Sequence, residues 1–424
     1  MSPDPRTTAL YPRHREAGAN MGDFAGYRMP LWYPAGMRRE HRAVVLGAGL
    51  FDTSHMAVLT VAGPGAYTLL QRTFTKDLDR VGPARRPLAD GRGAYGAFCN
   101  PRGHLIDDAI VFRRGSEDFF VVVNAGMGPT VAGHLADQAD SGATTVADLT
   151  DRVGKLDLQG PAAARILGRL LSDPEKAFQD LAYFSFKGHF DPVHPDAGMV
   201  RLADGTPLLL SRSGYTGEFG FELFVAPDRV TRLWDRLLEV GGDFDLVPCG
   251  LAARDSLRAG AMLPLSHQDI GDWPFIRHPW PFALPYAPDG ETFTKDFIGS
   301  AALLAAAVAP HTLAFVGRDP RKVAAGPDTR VVDAVGRAIG IVLTCATDVA
   351  IGRVGDKVMS LASPGRPENF DPKGLSCGFV RVERALPAGT PLVLDDGRRR
   401  IDVEVADDIR PDRTARRPMA QMWG

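Results

Sequence analysis

Residues 212–223 read Arg212-Ser213-Gly214-Tyr215-Thr216-Gly217-Glu218-Phe219-Gly220-Phe221-Glu222-Leu223. An apolar run over 207–210 precedes them and an alternating run over 219–225 follows, so the pattern predicts a strand, a glycine turn and a second strand. Three glycines within seven residues let the backbone reverse sharply, and the reversal brings Tyr215 close to Glu222. An aromatic face beside a carboxylate suits a flat heterocycle with N–H donors on one edge: the ring stacks while the acid accepts two parallel hydrogen bonds. A hairpin with a core tyrosine and a solvated glutamate fits the same residues.

A second constraint lies at His104-Leu105-Ile106-Asp107-Asp108-Ala109-Ile110-Val111-Phe112, which follows the turn Pro101-Arg102-Gly103. Alternation along a strand sends neighbouring side chains to opposite faces, so one of the two adjacent acids faces the buried side. A carboxylate among apolar neighbours needs a partner or its pKa rises, which suits proton handling or ligand binding. A carboxylate satisfied by backbone N–H groups at a strand end is the equal alternative.

The balance of 49 Lys plus Arg against 51 Asp plus Glu gives no basic field to recruit nucleic acid or an anionic membrane. With 424 residues, 45% of them hydrophobic, the chain can build two or three cored domains. Cys99, Cys249, Cys345 and Cys377 are scattered without CxxC or histidine at ligand spacing, so no metal site and no disulfide framework is expected. The N-terminal residues lack an apolar leader and no run approaches membrane-spanning length, so a cytoplasmic protein is expected. Gly47-Ala48-Gly49 lacks the third glycine of a dinucleotide fingerprint.

Helices are predicted over 38–45, 66–78, 162–171 and 227–240, the last with Val230, Leu233, Trp234 and Leu237 on one face. Lys155-Leu156-Asp157-Leu158-Gln159-Gly160-Pro161 reads as a strand entering a helix. Arg254 and Arg258, four apart, share a helix face, and the pattern by itself favours solvated ion pairs.

Taken in order, Leu10-Tyr11, Asp23-Phe24-Ala25-Gly26, Phe51-Asp52-Thr53-Ser54-His55-Met56, residues 103–111, Val122-Val123-Asn124-Ala125, Gln159-Gly160-Pro161, residues 214–223, residues 249–257 and Phe297-Ile298-Gly299 form a set of blocks. As a set they resemble the T-protein (aminomethyltransferase) family of the glycine cleavage system, from about residue 8 to 305 and more loosely beyond. The resemblance implies an α+β fold: a three-domain cloverleaf with a ferredoxin-like α/β folate-binding region and a C-terminal β-barrel. It implies a region 1–300, divided into about 1–55 with 155–300 and an inserted 56–154, followed by a barrel over 301–424.

The resemblance also implies tetrahydrofolate as cofactor. It makes Asp107 the catalytic carboxylate, with Arg254 beside it, and places Tyr95, Asp107, Tyr215, Glu222, Arg254, Met56, Asn124 and Tyr183 around the pterin. The implied reaction moves a one-carbon unit from the aminomethyl group of a lipoylated H-protein to tetrahydrofolate and releases ammonia. Departures from the family pattern leave room for a tetrahydrofolate-dependent O- or N-demethylase of a small methylated substrate, or for a non-catalytic folate-binding protein. The aromatic segment 266–280 is expected to pack mostly as core, with His278 as a possible polar contact at an altered substrate mouth. Residues 364–372 read as a surface loop and the basic stretch 410–417 as a solvated tail.

Overall fold

Alternating apolar residues in the first 250 positions build two sheets, and the computed structural model, which describes residues 4–140 and 142–423, stacks them face to face. The five-stranded sheet has the order Arg92–Cys99, Leu105–Gly115, Asp118–Val123, Ala57–Ala62, Thr145–Asp148. The six-stranded sheet has the order Phe186–Lys187, Leu209–Ser211, Gly220–Val225, Gly154–Gln159, Gly49–Asp52, Val247–Pro248. Only its last pair is parallel. Downstream, His311–Gly317, Leu375–Val382, Ala338–Asp348, Gly326–Val332, Pro391–Asp395 and Arg400–Val405 close into an antiparallel barrel. The fold is α+β, as the sequence implies, with sheets dominating.

Helices cover the outer face of each sheet. Leu69 and Leu70 of Ala66–Thr73, with Val131 and Leu135 of Gly128–Gln138, pack on Ala109 and Val111 of the five-stranded sheet. Ile166 and Leu167 of Ala163–Gly168, with Leu233, Trp234 and Leu237 of Val230–Gly241, pack on Leu156, Leu158, Phe221 and Leu223 of the other. Where the inner faces meet, Val58, Phe112, Phe120 and Val122 oppose Phe186, Leu209 and Phe224. Phe120 meets Phe224 edge to face at 5.3 Å, and Phe112 meets Phe186 at 5.2 Å. Each buried side chain of this kind contributes roughly 2 kcal/mol. The apolar end of the interface therefore holds the sheets together and leaves the other end free to carry polar groups.

The helix expected over 38–45 is found as Met37–Leu46, and the other predicted helices run shorter or shifted. The helix expected over 66–78 ends at Thr73, where the Thr73 hydroxyl donates back to Leu69 O at 2.8 Å and Phe74 turns to extended backbone. The helix expected over 162–171 spans Ala163–Gly168, and the one over 227–240 starts as a tight turn, Pro227–Arg229, before Val230–Gly241. Residues 364–369 are exposed, as a surface loop should be.

The stretch 410–417 is solvated only in part: Asp412, Arg416 and Arg417 are exposed. Arg410 and Thr414 are buried, because their partners are acids and backbone of the glycine turn rather than water. The Arg410 guanidinium meets Asp348 Oδ2 of the barrel at 2.6 Å and Glu218 Oε1 at 3.2 Å, and donates to Thr216 O and Leu257 O. His41 Nε2 lies 2.9 Å from the other oxygen of Asp348. Burial works to raise the Asp348 pKa, but Arg410 and His41 hold its carboxyl well below the usual range. Replacing Arg410 by Met leaves Asp348 and Glu218 buried without their cation. The expected loss is about 3–5 kcal/mol of unfolding free energy, measured by urea denaturation at neutral pH.

Candidate active site

The two acids of Leu105–Gly115 do separate onto opposite faces. Pairing with Arg92–Cys99 jumps from Phe98↔Asp107 to Cys99↔Leu105, a bulge that sets Asp107 at the end of the regular ladder. Asp107 is fully buried on the side of Ala109 and Val111. Asn124 follows the neighbouring strand Asp118–Val123 and serves both acids: its backbone N–H donates to Asp107 Oδ2 at 2.8 Å, and its Nδ2 donates to Asp107 Oδ1 at 2.9 Å and Asp108 Oδ1 at 2.7 Å. Ser266 Oγ donates to Asp107 Oδ1 at 2.9 Å.

Asp108 lies on the face of Ile110 and Phe112, turned toward the other sheet, and accepts from Tyr95 OH at 2.7 Å. Burial first, and then the charge of Asp107, push its pKa up to about 6. Burial, together with Asp108, raises the Tyr95 phenol well above its ordinary value. The Tyr95 ring has one neighbour in the exposed Phe282, at 5.8 Å.

From the opposite sheet comes a second polar group. Glu222 pairs with Ser211 on one side and Asp157 on the other, so Glu222, Asp157 and Lys155 share the inner face. Lys155 Nζ meets Asp157 Oδ1 at 2.6 Å, Glu222 Oε1 at 2.5 Å and Thr53 Oγ1 at 3.1 Å. Ser213 Oγ donates to the other oxygen of Glu222. Arg254, from the helix Leu251–Gly260, meets Asp157 Oδ2 at 2.8 Å and lies over the Tyr215 ring at 4.8 Å. The Tyr215 hydroxyl donates to Pro264 O.

The glycine turn takes its shape from its packing. A side chain at Gly214 would come within 2.0 Å of Gln159 Oε1, and Gly217 has φ +77°. Gln159 Nε2 donates to Ser213 O at 3.2 Å and Phe221 O at 3.1 Å, which anchors both ends of the turn.

Of the residues expected at the site, Tyr95, Asp107 and Asn124 form one cluster, and Tyr215, Glu222 and Arg254 form the other. Met56 packs on the apolar cluster between the sheets. Tyr183 sits further along, with Arg416 over its ring at 5.4 Å. The arginine pair departs from the solvated reading. Arg258 is fully buried: besides its i,i+3 pair with Asp255, it is closed over by Asp269, eleven positions on, and by Thr344 Oγ1 of the barrel. His278 does not reach the site. Its ring lies tilted between Phe275 at 4.3 Å and Trp280 at 5.3 Å, and burial drops its pKa to about 3.

Sequence reasoning passed over Lys155, Asp157, Ser266 and His267. The signal for the first two was present: a Lys-x-Asp alternation inside an apolar strand puts two charges on one face, which here is the inner one.

Comparison with known proteins agrees with this architecture. Residues 10–273 match the family model described as the GCVT N-terminal domain. The chain is 36% identical to an aminomethyltransferase of Streptomyces avermitilis over 82% of this chain and 87% of that one. It is 38% identical to one from Desulfitobacterium hafniense over 63% of this chain and 67% of that one. The structure resembles the glycine cleavage system aminomethyltransferase T of Bartonella henselae, with TM-score 0.73 and 29% identity, over 94% of this chain and 96% of that one. These likenesses, over two stacked sheets and a barrel, make the chain an enzyme of the aminomethyltransferase class. Within that class, the chain belongs to the glycine cleavage system T-protein family.

Because the Asp108 pKa is raised in the folded state, protonation of this acid stabilises the fold below its unfolded value of 3.8, and that contribution is lost as pH rises through about 6. Asp108→Asn removes the dependence. Between pH 4 and 6.5, wild type should lose on the order of 1 kcal/mol relative to this variant, after allowance for screening of a part-exposed side chain. Paired urea titrations across that range check it.

Proposed function

We propose that this chain transfers a one-carbon unit from the aminomethyl group of a lipoylated H-protein to tetrahydrofolate, with release of ammonia. The observation that carries the reading is that Asp108 of one sheet accepts from the part-buried Tyr95, while Glu222 of the other is tied through Lys155, Asp157 and Arg254 to the part-buried Tyr215, in a chain of this family. The names of its relatives favour aminomethyl transfer over demethylation. The proposal includes the division into a folate-binding region over 1–300, with 56–154 as an inserted unit, and a barrel over 301–424. Four unpaired cysteines suit a reducing cytoplasm.

The residues fit a reduced pterin by their chemistry. Each carboxylate oxygen of Glu222 has one protein donor, from Lys155 or Ser213, and keeps a lone pair free for the N–H edge of the ring. Tyr95 and Tyr215 supply aromatic surface. Tetrahydrofolate supplies the nucleophilic amine that accepts the carbon unit.

The protein's own part is positioning and proton management. Lys155 fixes Glu222, and Arg254 is fixed in turn by Asp157. Asn124 and Ser266 hold Asp107 in one orientation, and Asp108 is the member of the pair that exchanges a proton near neutrality. The stacked sheets exclude water from the apolar side, which strengthens each of these interactions.

Calorimetric titration with tetrahydrofolate, followed by an assay for methylene-tetrahydrofolate and ammonia with aminomethylated H-protein, tests the reading. Glu222→Gln should weaken tetrahydrofolate binding about 10- to 100-fold, the effect of a lost charged acceptor. Asp107→Asn should lower turnover about 100-fold or more while the Kd stays within a few-fold. Unchanged binding in the first variant and unchanged turnover in the second would remove both assignments.

A further inference from the structure

His267 stands where no regular element requires a histidine. It is the second residue of a tight turn that Asp269 organises: Asp269 accepts from Leu265 N at 2.9 Å and from Thr344 Oγ1 at 2.6 Å, and pairs with the buried Arg258. The turn is therefore fixed to both the helix Leu251–Gly260 and the barrel. Its φ at His267 is +62°, a left-handed conformation that a side chain adopts at a cost of about 1–2 kcal/mol and glycine adopts freely. The strained backbone delivers the imidazole to one place, with Nε2 3.4 Å from Asp107 Oδ1.

The two partners differ sharply in their access to water. The Asp107 side chain is 0% exposed and that of His267 is 48% exposed. The ring thus stands at the boundary between the buried acid pair and solvent, and a donor arm arriving from outside meets it first. The charged groups that face it are Asp107 and Asp108 of the strand Leu105–Gly115. Contact with Asp107 raises its pKa, against the opposing effect of burial.

We propose that His267 donates the proton to the nitrogen that leaves the one-carbon donor, and that the acid pair Asp107–Asp108 reloads it. This rests on the aminomethyl-transfer reading. As the donor's carbon–nitrogen bond breaks, its electron pair stays on nitrogen, which takes the proton from imidazolium Nε2 and departs as ammonia. The acceptor amine forms the new carbon–nitrogen bond and gives its own proton to the acid pair. The pair passes that proton to the neutral imidazole, so the acid pair and His267 end as they began. The net proton transfer is from acceptor amine to leaving amine.

His267→Gly is the test variant because it relieves the left-handed strain, so its fold should be at least as stable as wild type in a thermal melt. With aminomethylated H-protein and tetrahydrofolate, kcat should fall about 100-fold, the usual scale of a general acid. The Kd for tetrahydrofolate should stay unchanged, and added imidazole should restore part of kcat. In the protein without ligands, the imidazole resonances of His267 should titrate above the ordinary histidine range and move down in Asp107→Asn. Unchanged kcat in His267→Gly overturns the inference. So does a loss that imidazole does not rescue and that a weakened Kd accompanies, since that pattern marks a merely structural role. Wild-type protein that neither binds tetrahydrofolate nor turns over would instead defeat the aminomethyl-transfer reading itself, and the inference with it.

Discussion

A guanidinium cut off from water must be surrounded by acceptors, and Arg410 is such a group. Its partners come from three separate parts of the chain: Asp348 from the barrel, Glu218 and Thr216 O from the glycine turn, and Leu257 O from the helix that carries Arg254. None of these can shift without stranding a buried charge. The position of Arg254 relative to Glu222 is thus set from the barrel side. Gly260 belongs to the same junction. A methyl group there would come within 1.8 Å of Asp348 Oδ2, so the helix can approach the barrel only without a side chain at that position.

The stacked sheets explain why the polar residues lie where they do. One end of their interface is filled by phenylalanines and the other by Lys155, Asp157, Glu222, Tyr95 and Asp108. Charges placed between two sheets face little competition from water, so each must be matched by another. Lys155 meets this condition with three acceptors, while Asp107, on the other face of its sheet, is matched by donors from Asn124 and Ser266. The pKa of Asp108 is raised first by burial and then by the charge of Asp107 beside it.

Much of this was legible in the sequence because it depends on local pattern. Alternation assigned Asp107 and Asp108 to opposite faces, and the glycines of the turn predicted the reversal between Leu209–Ser211 and Gly220–Val225. What escaped depends on partners far away in the chain. Arg254 and Arg258 look like a solvated helix face until Asp157, 97 positions earlier, and Asp269 close on them. Lys155 and Asp157 look like an ordinary polar alternation unless a second sheet is known to cover that face. His278 and His267 show the same limit from both sides. Both lie in one aromatic segment, and only the three-dimensional turn decides that the first is core and the second reaches Asp107.

The glycine turn is fastened by residues made long after it. Thr414 donates to Glu218 and accepts from Phe219 N, Arg212 donates to Ala415 O across 203 positions, and Trp423 packs on Phe178. A ribosome therefore releases the turn well before its clasp exists, with the whole barrel made in between. A chain made only as far as the barrel would thus carry the family's motifs around a turn not yet clamped by Thr414 and Ala415.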